Sequence, residues 1–181
     1  MVSCLGRVTW QLPGEDWPQG PDDSPLTPLA TLFVNGLPLI PTPLKKVALI
    51  TIFVPQELYA SGAEDTPLHG CVIRTYADVA TLEPCDYVAD VFTRCLFPPE
   101  VVNNMPQNPT CGGGETAWDD AEEQASTQGL DYREDIMEAD YEVHKLGGYP
   151  TYAQPVPEIP SGYSFVPQIS SDATADLSIG D

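Results

Sequence analysis

Val47-Ala48-Leu49-Ile50-Thr51-Ile52-Phe53-Val54 is an eight-residue run with one polar side chain, dominated by β-branched and aromatic types. A run this short, with no polar face, reads as a β-strand buried on both sides. Upstream, Leu29-Ala30-Thr31-Leu32-Phe33-Val34 has the same character and reads as a second strand. Between the two, Asn35-Gly36 is a turn signal, and Pro38, Pro41 and Pro43 bar a helical connection. Downstream, Cys71-Val72-Ile73-Arg74-Thr75-Tyr76 reads as a third strand. From Tyr87 to Leu96 the two periods conflict: Val88, Val91, Phe92 and Cys95 fit helical spacing, while the composition suits a strand, the reading preferred here.

Outward from this centre the chain loses regularity. Residues 1–28 carry Pro13, Pro18, Pro21, Pro25 and Pro28, so they are expected to form an extended strap laid over a core. Residues 98–114, with Pro98, Pro99, Pro106, Pro109, Cys111 and three consecutive glycines, read as a long surface loop. Residues 115–142 are acidic and partly helical: Glu115 to Gln128 has helical composition with a stop at Gly129, and Asp131 to Tyr141 can add another turn or two.

The charge narrows the function. Of 181 residues, 27 are Asp or Glu and seven are Lys or Arg, a formal net charge of -20. A surface this negative repels phosphate backbones and anionic lipid, so neither nucleic acid nor membrane is expected as a partner. A hydrophobic content of 42 % keeps the chain out of the disordered class. No apolar run approaches a membrane span, and Met1 to Trp17 lacks the basic-then-apolar order of a leader, which points to a cytoplasmic protein. Five widely spaced cysteines (Cys4, Cys71, Cys85, Cys95, Cys111) argue against both a disulfide scaffold and a zinc module.

Enzyme signatures are missing. The sequence has no phosphate-binding glycine loop, no G-x-S-x-G elbow, no H-E-x-x-H and no C-x-x-C. Its two histidines, His69 in a turn setting and His144 beside the acidic window, offer little base for an activated thiol. The expectation is a protein with no catalytic residues, no resident metal and no cofactor.

The acidic window is the most distinctive feature. Glu115 to Glu142 holds eleven acidic residues against Arg133 alone, half of the net charge. Asp131, Glu134, Asp135, Glu138 and Glu142 lie three and four apart, so a helix would gather several on one face, as di-metal carboxylate sites require. Glu142 and His144 are two apart where that pattern wants three, and no calcium-loop order is present. The remaining readings are a solvated face and a face that meets a basic protein. The candidate contacts are Glu115, Asp119, Asp120, Glu122, Glu123, Glu134, Asp135 and Glu138, with Trp118, Tyr132, Met137 and Tyr141 as apolar anchors.

A family resemblance gathers at the C-terminal side: His144-Lys145-Leu146-Gly147-Gly148-Tyr149-Pro150, Gln154, Phe165-Val166-Pro167-Gln168-Ile169 and Gly180-Asp181. Together with Trp17-Pro18, Pro25-Leu26, Leu37-Pro38 and the Ile52 to Val54 strand end, the chain resembles the YwqG-like family of domains of unknown function. The acidic window and the glycine loop have no counterpart in that pattern. The resemblance implies an α+β fold, one domain over residues 1–181, mainly of antiparallel or mixed sheet with a few short helices. It also implies a weak internal duplication, Trp17-Pro18 then Leu29 to Val34 echoed by Tyr149-Pro150 then Phe165 to Ile169, and a further strand beyond Asp181. Gly147-Gly148 is expected to form a tight turn, Gln154 and Gln168 to tie loops to the sheet, and Lys145 to pair with the acidic window.

Some members of that family look like immunity proteins against secreted antibacterial toxins, including those of type VI secretion. The resemblance thus gives the charge a direction: a nuclease toxin has a basic substrate surface, and an acidic inhibitor suits it. The expected function is an immunity protein that occludes a basic toxin as a heterodimer. The competing class is a metal- or small-molecule-binding regulatory domain without catalysis.

Overall fold

The computed structural model describes residues 2–56, 70–88, 95–96, 99–102, 114–136, 144–150 and 165–178. They belong to two compact units, Met1–Val101 with Ser170–Asp181, and Val102–Ile169.

The first unit is built around the apolar run of the second predicted strand. That run takes an interior place in its sheet, paired on both sides, because apolar β-branched residues with no polar face belong in the middle of a sheet. The elements in chain order are β1 (Cys4–Leu5), β2 (Arg7–Gln11), β3 (Thr27–Phe33), β4 (Leu49–Val54), β5 (Val72–Tyr76) and β6 (Glu83–Val88). All six side chains of β4 are buried. A four-stranded sheet runs β1-β3-β4-β5, and β2 pairs with β6 in a second sheet. Every strand pairing among the described residues is antiparallel.

Register decides which residues share a face, because side chains of directly opposed residues project to the same side. Thr31, Thr51 and Arg74 lie opposite one another across β3, β4 and β5, as do Leu49 and Tyr76, and Phe53 and Val72. On that face Phe53 forms a core cluster with Val8 and Leu26, against which Trp17, Val72, Cys85 and Tyr87 pack. One cluster therefore joins residues of both sheets. The Thr31 hydroxyl donates to the Arg7 carbonyl at 2.9 Å, satisfying a buried polar group where β2 follows β1.

One expectation needs correcting. Residues 1–28 are not wholly a strap: Cys4–Leu5 and Arg7–Gln11 are strands, and β3 begins at Thr27. Only residues 12–26 run as a strap. The sheet also accommodates prolines where the ladder slips. Pro28 sits at a register shift of β3, and Pro84 of β6 faces Trp10 beside a shift in β2. Both prolines keep a cross-strand partner, Phe53 and Trp10, and the residues passed over at the shifts include Leu29 and Thr9; prolines in sheets sit beside such irregularities. Of the ambiguous stretch, Tyr87 and Val88 end strand β6; residues 89–94 lie outside the described residues.

The connections follow the turn chemistry. Asn35-Gly36 lies in a tight turn over Val34–Gly36, closed by Leu37 N–H donating to the Val34 carbonyl at 3.0 Å. Glycine fits there without adjustment: a β-carbon at position 36 would come 2.7 Å from the Phe33 ring, which would have to shift. The proline-rich connection holds no helix beyond the single turn Thr42–Leu44. At the C-terminal side, Asp172 and Leu177 exchange backbone hydrogen bonds across a turn that buries Ala175 and Leu177.

The second unit holds helix α1 (Gly114–Thr127), a π-helical turn Tyr132–Ile136, and the two-stranded pair β7 (Lys145–Leu146) and β8 (Pro167–Gln168). Together with the sheets this is an α+β arrangement. The predicted stop of α1 is where the sequence placed it. Gly129 has φ +73°, Leu130 N–H donates to Ala125 C=O and Gly129 N–H to Ser126 C=O, the paired closure of a Schellman motif. Gly147 and Gly148 both have positive φ, as a tight turn demands. Of residues 98–114, only 99–102 and 114 are described, and Gln154 and Gly180-Asp181 lie outside the described residues.

Candidate functional site

Residues 114–136, the described part of the acidic window, fold as a hairpin of a helix and a π-helical turn with its own small interior. Trp118, Ala125 and Tyr132 are buried together, with Ala121 and Ile136 packed against them. The spacing explains it: positions 118, 121 and 125 recur three and four apart, one stripe of α1, and the Gly129 stop turns the chain so that Tyr132 falls back on that stripe. Trp118 and Tyr132 meet edge to face with ring centroids 5.1 Å apart.

Asp131 holds the second half in place. Its carboxylate accepts from the N–H groups of Arg133 (2.9 Å) and Glu134 (3.0 Å), and its own N–H donates to the Asp135 carboxylate at 2.8 Å. This reciprocal arrangement is the logic of a capping box, and negative charge at the start of a turn also suits the peptide dipoles. Arg133 lies over the Trp118 ring, 5.3 Å from its centroid.

The remaining acids do something different. Asp119, Asp120, Glu122, Glu123, Glu134 and Asp135 are all exposed. Among the described residues, the side chains of Asp119, Asp120, Glu122, Glu123 and Glu134 enter no hydrogen bond or ion pair. Asp119 stands three and four residues from Glu122 and Glu123, spacings at which like charges each destabilise a helix by roughly 0.2–0.5 kcal/mol. Their charge works against the fold that carries them.

The predicted anchors are placed otherwise. Trp118 and Tyr132 belong to the hairpin interior and present almost no surface to a partner, being 4 % exposed each. The exposed surface of the hairpin is made by the carboxylates and Leu130 instead. Glu138, Met137 and Tyr141 lie outside the described residues, as do the atoms of the Glu115 side chain. Lys145 donates from Nζ to the Tyr149 carbonyl at 3.3 Å, spanning the glycine turn. Among the described residues no group of three His, Cys, Asp or Glu side chains is placed to hold a metal. Nor is any helix there long and apolar enough to cross a membrane.

A second polar constellation, which sequence reading passed over, lies in the sheet unit. The Tyr76 phenol donates to the Glu15 carboxylate at 2.7 Å, Arg74 Nε lies 3.4 Å from the same carboxylate, and Arg74 Nη2 donates to the Asp16 carbonyl at 2.6 Å. Burial, reinforced by the hydrogen bond to Glu15, pushes the Tyr76 phenol up to about 12. Arg74 also stacks over Phe53, 5.5 Å from its centroid. The signal was faint: Arg74 alternates with Val72 and Tyr76 on one strand face, but Glu15 is distant in sequence and sits between prolines. Elsewhere, burial pushes the Cys71 thiol up, so it is less nucleophilic than a free cysteine, and two Ser24 hydrogen bonds hold the Asp22 carboxyl below the usual range.

No family model matches the sequence, and no curated protein does either.

Proposed function

We propose that the chain is a non-enzymatic binding protein that presents the acidic hairpin to a strongly basic protein partner. Following the YwqG-like resemblance, that partner is an antibacterial toxin, a nuclease, and the chain is its cytoplasmic immunity protein. The observation that carries this reading is the row of exposed carboxylates, Asp119, Asp120, Glu122, Glu123 and Glu134, that pair with nothing in the described fold. A side chain that neither packs nor pairs, and that raises the energy of its own helix, is supported by selection outside folding. A basic surface relieves the repulsion, and complementary potentials speed the encounter and reject wrong partners.

The geometry also suits occlusion. A hairpin closed by its own aromatic interior offers its carboxylates on a preformed scaffold, which reduces the ordering cost of association. In this reading the carboxylates substitute for the phosphates of the nuclease substrate.

The test is co-expression of the full chain with the toxin-like protein encoded beside it, read by pull-down and rescue of growth. A stable one-to-one complex that restores viability is the expected result. Replacing Asp119, Asp120, Glu122 and Glu123 by Asn or Gln is expected to weaken the complex and flatten its salt dependence. Binding that survives neutralisation at every salt concentration removes the acidic face from the mechanism. Absence of both complex and rescue removes the immunity reading.

A further inference from the structure

Residues 12–26 form a loop that is bonded to itself more than to the sheet. Glu15 N–H donates to Leu12 C=O, Gly20 N–H to Ser24 C=O, Asp23 N–H to Gly20 C=O and Leu26 N–H to Pro18 C=O. Leu12 N–H donates to the Glu15 carboxylate, Ser24 N–H and Oγ to the Asp22 carboxylate, and Trp17 Nε1 to the Leu26 carbonyl at 2.9 Å. All of these begin and end inside the strap. The excursion leaves β2 at Gln11 and returns at Thr27, the dimensions of an Ω-loop.

Its polar ties to the rest of the unit converge on two adjacent residues. Among the described residues, the strap bonds to the sheet only through Glu15, which receives Tyr76 and Arg74, and the Asp16 carbonyl, which receives Arg74 Nη2. Every one of these ties is made by a side chain of β5. The apolar ties are Trp17, edge-on to Phe53 (5.8 Å) and Tyr87 (4.0 Å), and Leu26 in the core cluster. Pro21 also lies so near Gly70 that a β-carbon there would come within 2.9 Å of its ring.

We propose that residues 12–26 are a latch that opens as a unit from an otherwise intact sheet, with Glu15 as the group that keeps it shut. A segment whose polar ties to the described sheet pass through one carboxylate and one carbonyl opens at less cost than the sheet beneath it. Once Trp17 and Leu26 leave the core, its own short-range hydrogen bonds are open to water. The β3, β4 and β5 ladder shares none of these bonds, so it has no reason to break with them. Opening bares the Phe53 and Tyr87 rings and frees the Arg74 guanidinium on one face. The closed form withholds that aromatic, cationic surface in a chain whose charge is otherwise overwhelmingly negative.

Hydrogen exchange of the full-length Glu15→Gln variant tests the latch. Gln keeps the shape and an acceptor for Tyr76 but removes the charge that Arg74 pairs with. The amides of Gly20, Asp23 and Leu26 are expected to exchange about tenfold faster than in the parent chain, while those of Ile50 and Ile52 are unchanged. Tyr76→Phe is expected to move the same strap amides in the same direction by a smaller factor. Equal acceleration of strap and β4 amides, no acceleration in either variant, or loss of the folded sheet on either substitution would overturn the proposal. None of these readouts depends on a toxin or on the acidic hairpin, so the latch and the immunity reading fail separately.

Discussion

The indole of Trp118 meets the ring of Tyr132 at 80° with centroids 5.1 Å apart, and this contact closes the acidic hairpin. The two residues lie on opposite sides of the Gly129 stop, so the pair ties α1 to the π-helical turn across the break in the helix. Removing it leaves Ala125 and Ala121 with too little apolar surface to hold two like-charged segments together. Trp118→Ala is therefore expected to cost about 3–5 kcal/mol, the range for losing a buried aromatic, and to melt the helix. Far-ultraviolet circular dichroism reads the lost helicity directly. Trp118→Phe keeps a ring in place and is expected to retain most of the signal.

The end of the helix is a separate matter from its interior. Gly129 adopts φ +73°, and a β-carbon built there meets nothing within 4 Å. Any loss on substitution is thus backbone strain and not a clash. Gly129→Ala is expected to destabilise the hairpin by about 1 kcal/mol, the cost of holding an L-residue in the left-handed region, and Gly129→Asn by less. Thermal melts of the three proteins check the order Gly, Asn, Ala.

How much of this was readable beforehand depends on the range of the forces involved. The burial of β4 and the stop at Gly129 were legible because each follows from local composition: an apolar run, and a glycine after helical sequence. Strand β2, Arg-Val-Thr-Trp-Gln, was not, because its alternation is short and it sits at the head of a proline-dense segment that reads as irregular. It is held by pairing with β6, some 70 residues away, and no local pattern carries that information. Strand β6 itself contains Glu83, Pro84 and Asp86, poor strand formers that a register shift admits. Trp118 and Tyr132 were read as partner anchors because aromatics among acids look like a contact surface. Their roles were fixed instead by the angle at which the chain resumes after Gly129. The clasp on Glu15 was invisible for the same reason as β2: both of its partners lie about 60 residues downstream.

Tyr76 gives the sheet unit a signature at alkaline pH. Its phenol is pushed from 10.0 up to about 12 by burial and by donating to Glu15. The folded state therefore holds this proton more tightly than the unfolded state, and between those two values the unfolded chain binds fewer protons. Stability from this group is fully present below pH 10 and is lost as pH rises towards 12. Absorbance titration near 295 nm is expected to show Tyr76 ionising late, in step with loss of the sheet. In Tyr76→Phe that late step disappears, and the alkaline decline of the unfolding free energy becomes shallower.

Phe53 is where the strap, the two sheets and the Arg74–Glu15 ion pair come together. Its ring packs with Val8 and Leu26, takes the edge of Trp17, and carries the Arg74 guanidinium. Phe53→Ala removes all three relationships and is expected to cost about 3–5 kcal/mol. Phe53→Leu keeps most of the buried volume but gives Arg74 and Trp17 no π-face, so it isolates the aromatic share, about 0.5–1.5 kcal/mol for an edge contact of this kind. Combining each change with Trp17→Leu completes a double-mutant cycle, read from urea midpoints at constant slope. A coupling energy in that range places Trp17 and Phe53 in one cooperative contact. A coupling near zero would mean that Trp17 is held by Tyr87 and its own hydrogen bond to Leu26, with Phe53 only lending volume beneath it.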